Sequence, residues 1–140
     1  MSAPRHAGGV RLTRRYDAPR SDVWTALTDP ASIARWLGVG AHVKLRAGGL
    51  FEVRFRDGSA MAGSIRALDR ERLLELEWRY PGEPSSVVRF ELHDDVAGVR
   101  LVVDHRGLDR EVQAAYGHGW THHLHSLGAV LAPAGSERSS

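Results

Sequence analysis

The sequence predicts an α+β fold in which a curved antiparallel sheet packs against one long C-terminal helix. Three observations predict it: a first strand precedes two short helices, a long run of period-two alternation follows, and an amphipathic helix ends the pattern. That helix carries Trp120, Leu124 and Leu127 on one face, and each strand has one apolar face. These surfaces bury each other most simply when the sheet curves over the helix, an arrangement that tends to enclose a pocket.

The chain has the length and composition of one globular domain, for which we predict the bounds 10–132. Its 140 residues are 42% hydrophobic and 26% charged, which is typical of a domain that folds on its own. Segments 1–9 and 133–140 are rich in small and polar residues and show no apolar periodicity. We therefore expect both ends to be flexible.

Composition also argues against several classes of function. The sequence contains no cysteine, so it offers no disulfide, no thiolate nucleophile and no cysteine-based zinc site. The N-terminus shows no signal-peptide pattern and no window approaches the ~20 apolar residues of a membrane span, so we expect a cytoplasmic protein. The net charge is +2, and arginines alternate with acidic residues, as in 66–72. This distribution predicts no nucleic-acid partner.

The first part of the chain predicts one strand and two short helices. Apolar residues alternate between Val10 and Tyr16, which is typical of a strand. Pro19 is predicted at the first helical position of one helix, and Asp29-Pro30 gives the cap and start signal for a second. The apolar residues of these helices are Val23, Trp24, Leu27, Ile33, Trp36 and Leu37.

From residue 41 onward the pattern has a period of two, which predicts a series of half-buried strands. The apolar phase comprises Val43, Leu45, Phe51, Val53, Phe55, Leu74, Leu76, Trp78, Tyr80, Val88, Phe90, Leu92, Val99, Leu101 and Val103. Charged residues fill the other phase, so one sheet face is predicted to be apolar and the other charged. Segment 61–68 is a less regular strand interrupted by Gly63, and Asp57-Gly58 predicts a hairpin because both residues can adopt positive φ.

The final helix is predicted over about residues 108–131. Its apolar stripe consists of Tyr116, Trp120, Leu124, Leu127 and Leu131. At ~100° per residue these side chains lie within about 40° of Trp120. His118, His122 and His125 lie near the opposite pole of the helix, so we expect them to face water and predict no metal site from their spacing.

Two other histidines are candidates for the space between sheet and helix. His105 lies in the apolar phase of its strand, and His123 lies about 60° from Trp120, at the edge of the apolar stripe. A neutral imidazole there would anchor a polar ligand atom or act as a general base. The alternative is a histidine hydrogen-bonded to backbone or water at the margin of the core.

The remaining pattern predicts a binding site more readily than a catalytic one. The chain has no G-x-S-x-G motif, its strand glutamates lie in the outward phase, and Gly48-Gly49 joins two strands rather than a strand to a helix. We therefore expect no cofactor. Large apolar side chains in the inward phase are candidates for lining a pocket. They are Phe51, Phe55, Met61, Trp78, Tyr116 and Trp120, with Trp36 at the entrance.

Several motifs, taken in order, resemble a known family. They are YDAPRSDVWTALTDPASIARWL at 16–37, Gly48-Gly49-Leu50-Phe51, Gly63-Ser64-Ile65, Arg72-Leu73 with Trp78, LVVDH at 101–105, and Gly119-Trp120 with Leu124 and Leu127. Together they resemble the bacterial branch of the activator-of-Hsp90-ATPase homologue-like proteins, in the START/Bet v 1-like (SRPBCC) superfamily. The resemblance implies a helix-grip fold with a cavity between sheet and helix. Members of the superfamily bind lipids, hormones, polyketides and other hydrophobic molecules, and some cyclise or hydrolyse them.

The leading hypothesis is a binding protein for a small hydrophobic molecule, aromatic or lipid-like, held among these apolar side chains with His105 or His123 as polar anchor. One alternative is a cyclase-, aromatase- or hydrolase-like enzyme in which His105 is the general base and Tyr116 or Arg89 assists. Another is a protein-interaction module, such as an Hsp90 co-chaperone, that uses the charged outer face of the sheet. A homo-oligomeric partner is also left open.

Overall fold

The computed structural model of the protein describes residues 8–131. The expected flexible ends lie outside these residues, except for the last two residues of the N-terminal segment. Gly9 begins the first strand, and the carbonyl of Gly8 accepts hydrogen bonds from the backbone N–H groups of Gly107 and Leu108 at 3.1 and 2.9 Å. The first strand therefore begins one residue before the predicted bound at residue 10.

Within the described residues the elements follow one another in the predicted order. They are β1 (Gly9–Tyr16), α1 (Arg20–Thr28), α2 (Pro30–Trp36), β2 (Gly40–Val43), β3 (Leu50–Arg54), β4 (Ala60–Asp69), β5 (Leu73–Arg79), β6 (Ser86–Asp95), β7 (Gly98–Arg106) and α3 (Arg110–Leu131). The strands form one antiparallel sheet in the order β1-β7-β6-β5-β4-β3-β2. The predicted α+β helix-grip architecture is confirmed.

The two short helices begin at the proline signals, with one difference. Asp29 caps α2 by accepting a hydrogen bond from the backbone N–H of Ser32 at 3.0 Å, and Pro30 is the first helical residue, as predicted. In α1 the first helical residue is Arg20, so Pro19 lies one position earlier than predicted. Its extended backbone, with ψ of 150°, turns the chain from β1 into the helix.

The long helix α3 covers the apolar face of the sheet. Trp120, Leu124 and Leu127 are 2%, 1% and 0% exposed, which confirms the predicted stripe. Tyr16 fixes the helix to β1, because its hydroxyl donates to the backbone carbonyl of Leu124 at 2.7 Å. No helix in residues 8–131 combines the length and apolar character that crossing a membrane requires.

Strand β4 is irregular for two reasons: its pairing with β5 shifts register, and the backbone of β5 passes very close to Gly63. Its pairing with β5 shifts between Ile65 and Ala67, which breaks the period-two pattern there. Gly63 lies opposite Trp78 in the pairing, and a Cβ atom at residue 63 would lie 2.0 Å from the carbonyl oxygen of Glu77. Only glycine fits at this position without moving the backbone.

The two faces of the sheet differ as the alternation predicts. On the outer face Arg66 Nε contacts Glu75 Oε2 at 3.0 Å, Arg89 Nη1 contacts Glu75 Oε1 at 2.9 Å, and Arg89 Nε contacts Glu91 Oε2 at 2.5 Å. The inner face is apolar and packs under α3. Its most buried side chains are Phe51, Val53, Met61, Ile65, Leu74, Leu76, Val88, Phe90, Leu101 and Val103.

Candidate functional site

An open pocket of about 370 Å³ lies where the β3–β4 hairpin, the β5–β6 connection and α3 meet. The sheet supplies one wall and the helix the other, so the pocket occupies one end of the space between them. Its lining residues are Phe55, Asp57, Ser59, Trp78, Tyr80, Glu83, Ala115, Tyr116, Gly119, Trp120 and His123.

Aromatic rings form most of the pocket wall. Trp78 on β5 packs against two rings of α3, with its centroid 5.6 Å from that of Trp120 and 6.3 Å from that of Tyr116. Phe55 and Tyr80, which follow β3 and β5, pack together at 6.0 Å. Such tilted and edge-on pairs are favourable arrangements of aromatic rings. The wall is therefore packed before any ligand binds.

Small residues on α3 keep the space between the walls open. Ala115 and Gly119 are four positions apart, and His123 follows after another four, so the three lie along one line of the helix surface. A Cβ atom at Gly119 would have no neighbour within 4 Å. The helix approaches the hairpin here without filling the gap.

The first hydrogen-bond chain of the pocket begins at Trp78. Its indole Nε1–H donates to the hydroxyl oxygen of Tyr116 at 3.1 Å, and that hydroxyl donates to Glu83 Oε1 at 2.7 Å. Burial, together with the Glu83 carboxylate, raises the pKa of Tyr116 above its usual value. Tyr116 therefore remains a protonated donor, and Glu83 is held beside the aromatic wall.

The second chain lies in the β3–β4 hairpin. The hydroxyl of Tyr80 donates to Ser59 Oγ at 2.8 Å, and the Ser59 hydroxyl donates to Asp57 Oδ1 at 2.6 Å. The side-chain and backbone hydrogen bonds from Ser59 lower the pKa of Asp57, so this carboxylate is ionised at neutral pH. The predicted hairpin is present, but only Gly58 adopts positive φ, at 92°, because the connection is longer than a two-residue turn.

His123 lies between the pocket and α2. Its Nδ1 is 3.3 Å from the backbone carbonyl oxygen of Trp36, and since a carbonyl only accepts, Nδ1 carries the proton. Burial lowers the pKa of His123, so the ring is neutral at neutral pH. Nε2 then keeps its lone pair, and within residues 8–131 no hydrogen bond engages it.

His105 is fully buried beneath the pocket, and both of its ring nitrogens are hydrogen-bonded within the protein. Its Nδ1 accepts from Trp120 Nε1–H at 3.0 Å, so its proton lies on Nε2, which donates to Ser86 Oγ at 2.8 Å. Burial lowers its pKa to about 3. Both nitrogens are occupied and the ring is 0% exposed. His105 therefore holds Trp120 in place and lies outside the pocket lining.

The two residues predicted to assist His105 lie on opposite sides of the sheet. The Tyr116 ring packs edge-on against His105 with centroids 4.6 Å apart. Arg89 points outward into the ion pairs with Glu75 and Glu91. The alternation places Arg89 in the outward phase, and the structure agrees: no bulge reverses β6 at this residue, so Arg89 and His105 do not face one cavity.

Three more predicted lining residues lie in the packed core. Phe51 and Met61 are 1% and 0% exposed, on the correct face of the sheet but beneath the covered part of it. Trp36, expected at the entrance, is 4% exposed, and its indole N–H donates to the carbonyl of Ala26 at 2.7 Å. The space predicted over these residues is filled by side chains.

The structure thus divides the predicted site residues into two groups. Those at the pocket are Phe55, Trp78, Tyr116, Trp120 and His123. Those outside its lining are Trp36, Phe51, Met61 and His105.

Sequence reasoning missed the polar and small residues of the pocket, which are Asp57, Ser59, Tyr80, Glu83, Ala115 and Gly119. The spacing of four between Ala115 and Gly119, beside the large residues Tyr116 and Trp120, was a readable signal for a gap on the helix. Asp57 gave only a turn signal.

The metal prediction concerns the exposed face of α3. His118, His122 and His125 are all exposed there, as predicted. Across the part of the chain that the structure describes, no three or more metal-ligating side chains are grouped to hold an ion.

These features define an α+β domain of the helix-grip class, with an aromatic pocket between one end of the sheet and the C-terminal helix. The chain belongs to the family described as activator of Hsp90 ATPase homolog 1-like protein, whose model matches residues 17–132. The resemblance read from the sequence motifs is thereby confirmed. Among curated proteins, no significant match is found.

Solved structures with the same fold include proteins of several kinds. CalU16 from Micromonospora echinospora is 31% identical with a TM-score of 0.76, covering 91% of this chain and 78% of its own. DynU16, a protein in the dynemicin biosynthetic locus, is 27% identical with a TM-score of 0.78, over 87% of this chain and 46% of its own. The Aha1 dimer from Colwellia psychrerythraea has a TM-score of 0.78 at 16% identity, over 87% and 94% of the two chains, which shows the fold alone.

Proposed function

We propose that the protein binds a small molecule with an aromatic or similarly flat apolar body in the pocket between the β3–β4 hairpin, the β5–β6 connection and α3. The observation that carries the proposal is an open space of about 370 Å³ lined by the rings of Phe55, Trp78, Tyr80, Tyr116 and Trp120. Pockets of this size, apolar with a few polar groups at the margin, are typical of ligand sites.

The volume sets the size of the ligand. At about 370 Å³ the pocket lies near the lower end of the range of about 300–1,000 Å³ that is typical of small-molecule sites. A molecule of two or three fused rings fits this space. Its affinity would come mainly from apolar burial, at about 25 cal/mol per Å².

The comparisons support a small-molecule role. DynU16 is 27% identical to this chain and comes from a biosynthetic locus. A ligand that is a product or an intermediate of biosynthesis would be consistent with that relative. CalU16 has the same fold at 31% identity over most of both chains, so the shared architecture extends beyond the pocket region.

A matched pair of substitutions tests the proposal. Ala115 lines the pocket, whereas the adjacent Ala114 faces the other side of α3, towards β1. Leucine favours helix about as well as most residues, so Ala115→Leu and Ala114→Leu should both fold. The uncharged probe N-phenyl-1-naphthylamine, whose fluorescence rises in apolar surroundings, is titrated into each variant and the parent protein.

We expect Ala115→Leu to weaken probe binding by at least about tenfold. The leucine side chain would displace an area of buried ligand surface similar to that of one large apolar side chain, whose burial is worth about 1.5–3 kcal/mol. Ala114→Leu should bind like the parent. Equal binding by all three proteins, or equal loss in both variants, would contradict the proposed site.

A cyclase- or hydrolase-like enzyme is the second candidate, and His123 rather than His105 favours it. The neutral ring of His123 lines the pocket and keeps a lone pair on Nε2, which is what a general base requires. Hydrolysis of p-nitrophenyl acetate by the parent protein and by His123→Gln tests this candidate. Equal rates, after subtraction of the rate in buffer, would dismiss His123 as a base for that reaction.

The third hypothesis, a protein-interaction module, receives less support from the outer face of the sheet. There Arg66, Glu75, Arg89 and Glu91 form ion pairs with one another. Paired charges attract a partner less strongly than free ones, since a docking partner would have to replace contacts already made.

A further inference from the structure

We infer that the ligand of this pocket carries a protonated amine, an inference that rests on the proposed function. The argument is a count of hydrogen-bonding groups. A pocket whose own donors are all engaged, and whose free groups are all acceptors, is complementary to a ligand that donates. The charges around the pocket then decide between a neutral donor and a cationic one.

The donors of the indole and phenol groups are already in use. Trp78 Nε1–H donates to Tyr116, and the Tyr116 hydroxyl donates to Glu83. Trp120 Nε1–H donates downward to His105, away from the pocket. None of these groups has a second hydrogen to offer a ligand.

The hairpin and the histidine complete the count. The Tyr80 hydroxyl donates to Ser59, and the Ser59 hydroxyl donates to Asp57. His123 donates its Nδ1 proton to the carbonyl of Trp36. Every side-chain N–H or O–H among the lining residues therefore donates within the protein.

Only acceptors remain available to a ligand. Asp57 and Glu83 each have one carboxylate oxygen that receives no hydrogen bond from within residues 8–131, and His123 has its Nε2 lone pair. A ligand carboxylate or phosphate would find no donor among these side chains and would be repelled by both carboxylates. A ligand with several N–H groups would satisfy them.

Charge favours a cation over a neutral donor. The lining contains two acidic side chains, Asp57 and Glu83, and neither lysine nor arginine occurs among the lining residues. The aromatic lining adds to this preference, because a ring attracts a cation that lies over its face. An ammonium group on an aromatic body therefore matches both the polar margin and the apolar walls.

Three probes with the same ring system test the inference: 1-naphthylmethylammonium, 1-naphthylmethanol and 1-naphthoate. Binding is followed at neutral pH and low salt by the ¹H–¹⁵N signals of the Trp78 and Trp120 indoles. We expect the ammonium to bind about tenfold more tightly than the alcohol, and the carboxylate to bind most weakly. A hydrogen bond to a charged group is stronger than a neutral one by about 1 kcal/mol or more, which corresponds to about tenfold in affinity. Added salt should narrow the difference.

A charge-removing variant assigns the effect to the pocket. Glu83→Gln keeps an acceptor for the Tyr116 hydroxyl but removes the negative charge. Glu52→Gln removes a charge from the outer face of β3 and serves as the control. The ammonium should lose about tenfold in affinity on Glu83→Gln, whereas its affinity for Glu52→Gln, and that of the alcohol for both variants, should stay unchanged.

The outcomes separate the two proposals. If the ammonium and the alcohol bind the parent protein equally well and shift both indole signals, the cation inference is wrong and the aromatic pocket stands. If Glu83→Gln and Glu52→Gln lower ammonium affinity equally, the attraction is a general charge effect and the inference is wrong. If none of the three probes shifts either indole signal, the proposed binding function itself is contradicted.

Discussion

Acid should destabilise the folded protein, and the contribution of the buried side chain of His105 can be isolated. In the folded state burial lowers its pKa to about 3, from 6.5 for an unperturbed histidine. As the pH falls through 6.5, the unfolded chain binds a proton that the folded protein excludes. Stability is therefore fully present above that pH and is lost progressively as the pH falls towards 3. Two units below 6.5, at about 1.36 kcal/mol per unit, the loss is about 3 kcal/mol.

Urea unfolding followed by tryptophan fluorescence, at several pH values from about 7 to about 4.5, measures this loss. The comparison is with His105→Gln, which does not titrate in this range. The variant should be less stable than the parent at neutral pH, because it loses the ring that joins Trp120 to Ser86. The difference in unfolding free energy between the two proteins should then decrease by about 3 kcal/mol as the pH is lowered from about 7 to about 4.5. Contributions from His123 are present in both proteins and cancel.

If the difference in unfolding free energy between the parent protein and His105→Gln stays constant across this pH range, the reasoning is refuted. It would mean that the folded protein binds the proton as readily as the unfolded chain does. The buried, doubly hydrogen-bonded ring described above would then not be the state present in solution.

Three substitutions test local contacts of the fold. Gly63→Ala should lower the free energy of unfolding by about 1–3 kcal/mol, because the new Cβ would overlap the carbonyl of Glu77. Gly119→Ala should raise it by about 0.5–1 kcal/mol, because the new Cβ would meet open space and alanine favours a helix over glycine. Equal effects of the two changes would contradict these contacts. Asp29→Ala should cost about 1 kcal/mol through loss of the cap on α2; an unchanged urea midpoint would show that the cap contributes nothing.

The fold was readable from the sequence because its signals are local or periodic. Asp29-Pro30 marks the start of α2 through cap chemistry that depends on neighbouring residues alone. The stripe of Trp120, Leu124 and Leu127 and the alternation of the strands each report which face is buried. A curved sheet closed by one helix is the simplest arrangement that buries the apolar face of the sheet and the apolar stripe of the helix against each other.

The depth of the site was not readable, because alternation reports the face of a strand and not which part of it the helix covers. Phe51 and Met61 are on the predicted face, but they are 1% and 0% exposed and belong to the packed core. Phe55, four residues after Phe51 along the same face and beyond Val53, reaches the pocket. That difference depends on how the helix crosses the sheet, which is a long-range property.

The polar margin of the pocket was hidden for a related reason. Asp57 and Glu83 lie in connections between strands, and their positions depend on the path of each loop. The role of His105 likewise depends on Ser86, which is 19 residues away in the sequence, and on Trp120, 15 residues away. Contacts of this kind follow from strand pairing and helix placement, not from local pattern.

The position of a bound molecule tests the account most directly. Intermolecular nuclear Overhauser effects between N-phenyl-1-naphthylamine and the protein would locate the bound probe. Two methyl groups distinguish the possible positions: that of Ala115 in the pocket and that of Met61 in the core. Contacts to the Ala115 methyl and the Trp78 ring are the expected result, since both line the open pocket. Contacts to the methyl of Met61, which is 0% exposed in the core, without contacts to Ala115, would contradict it.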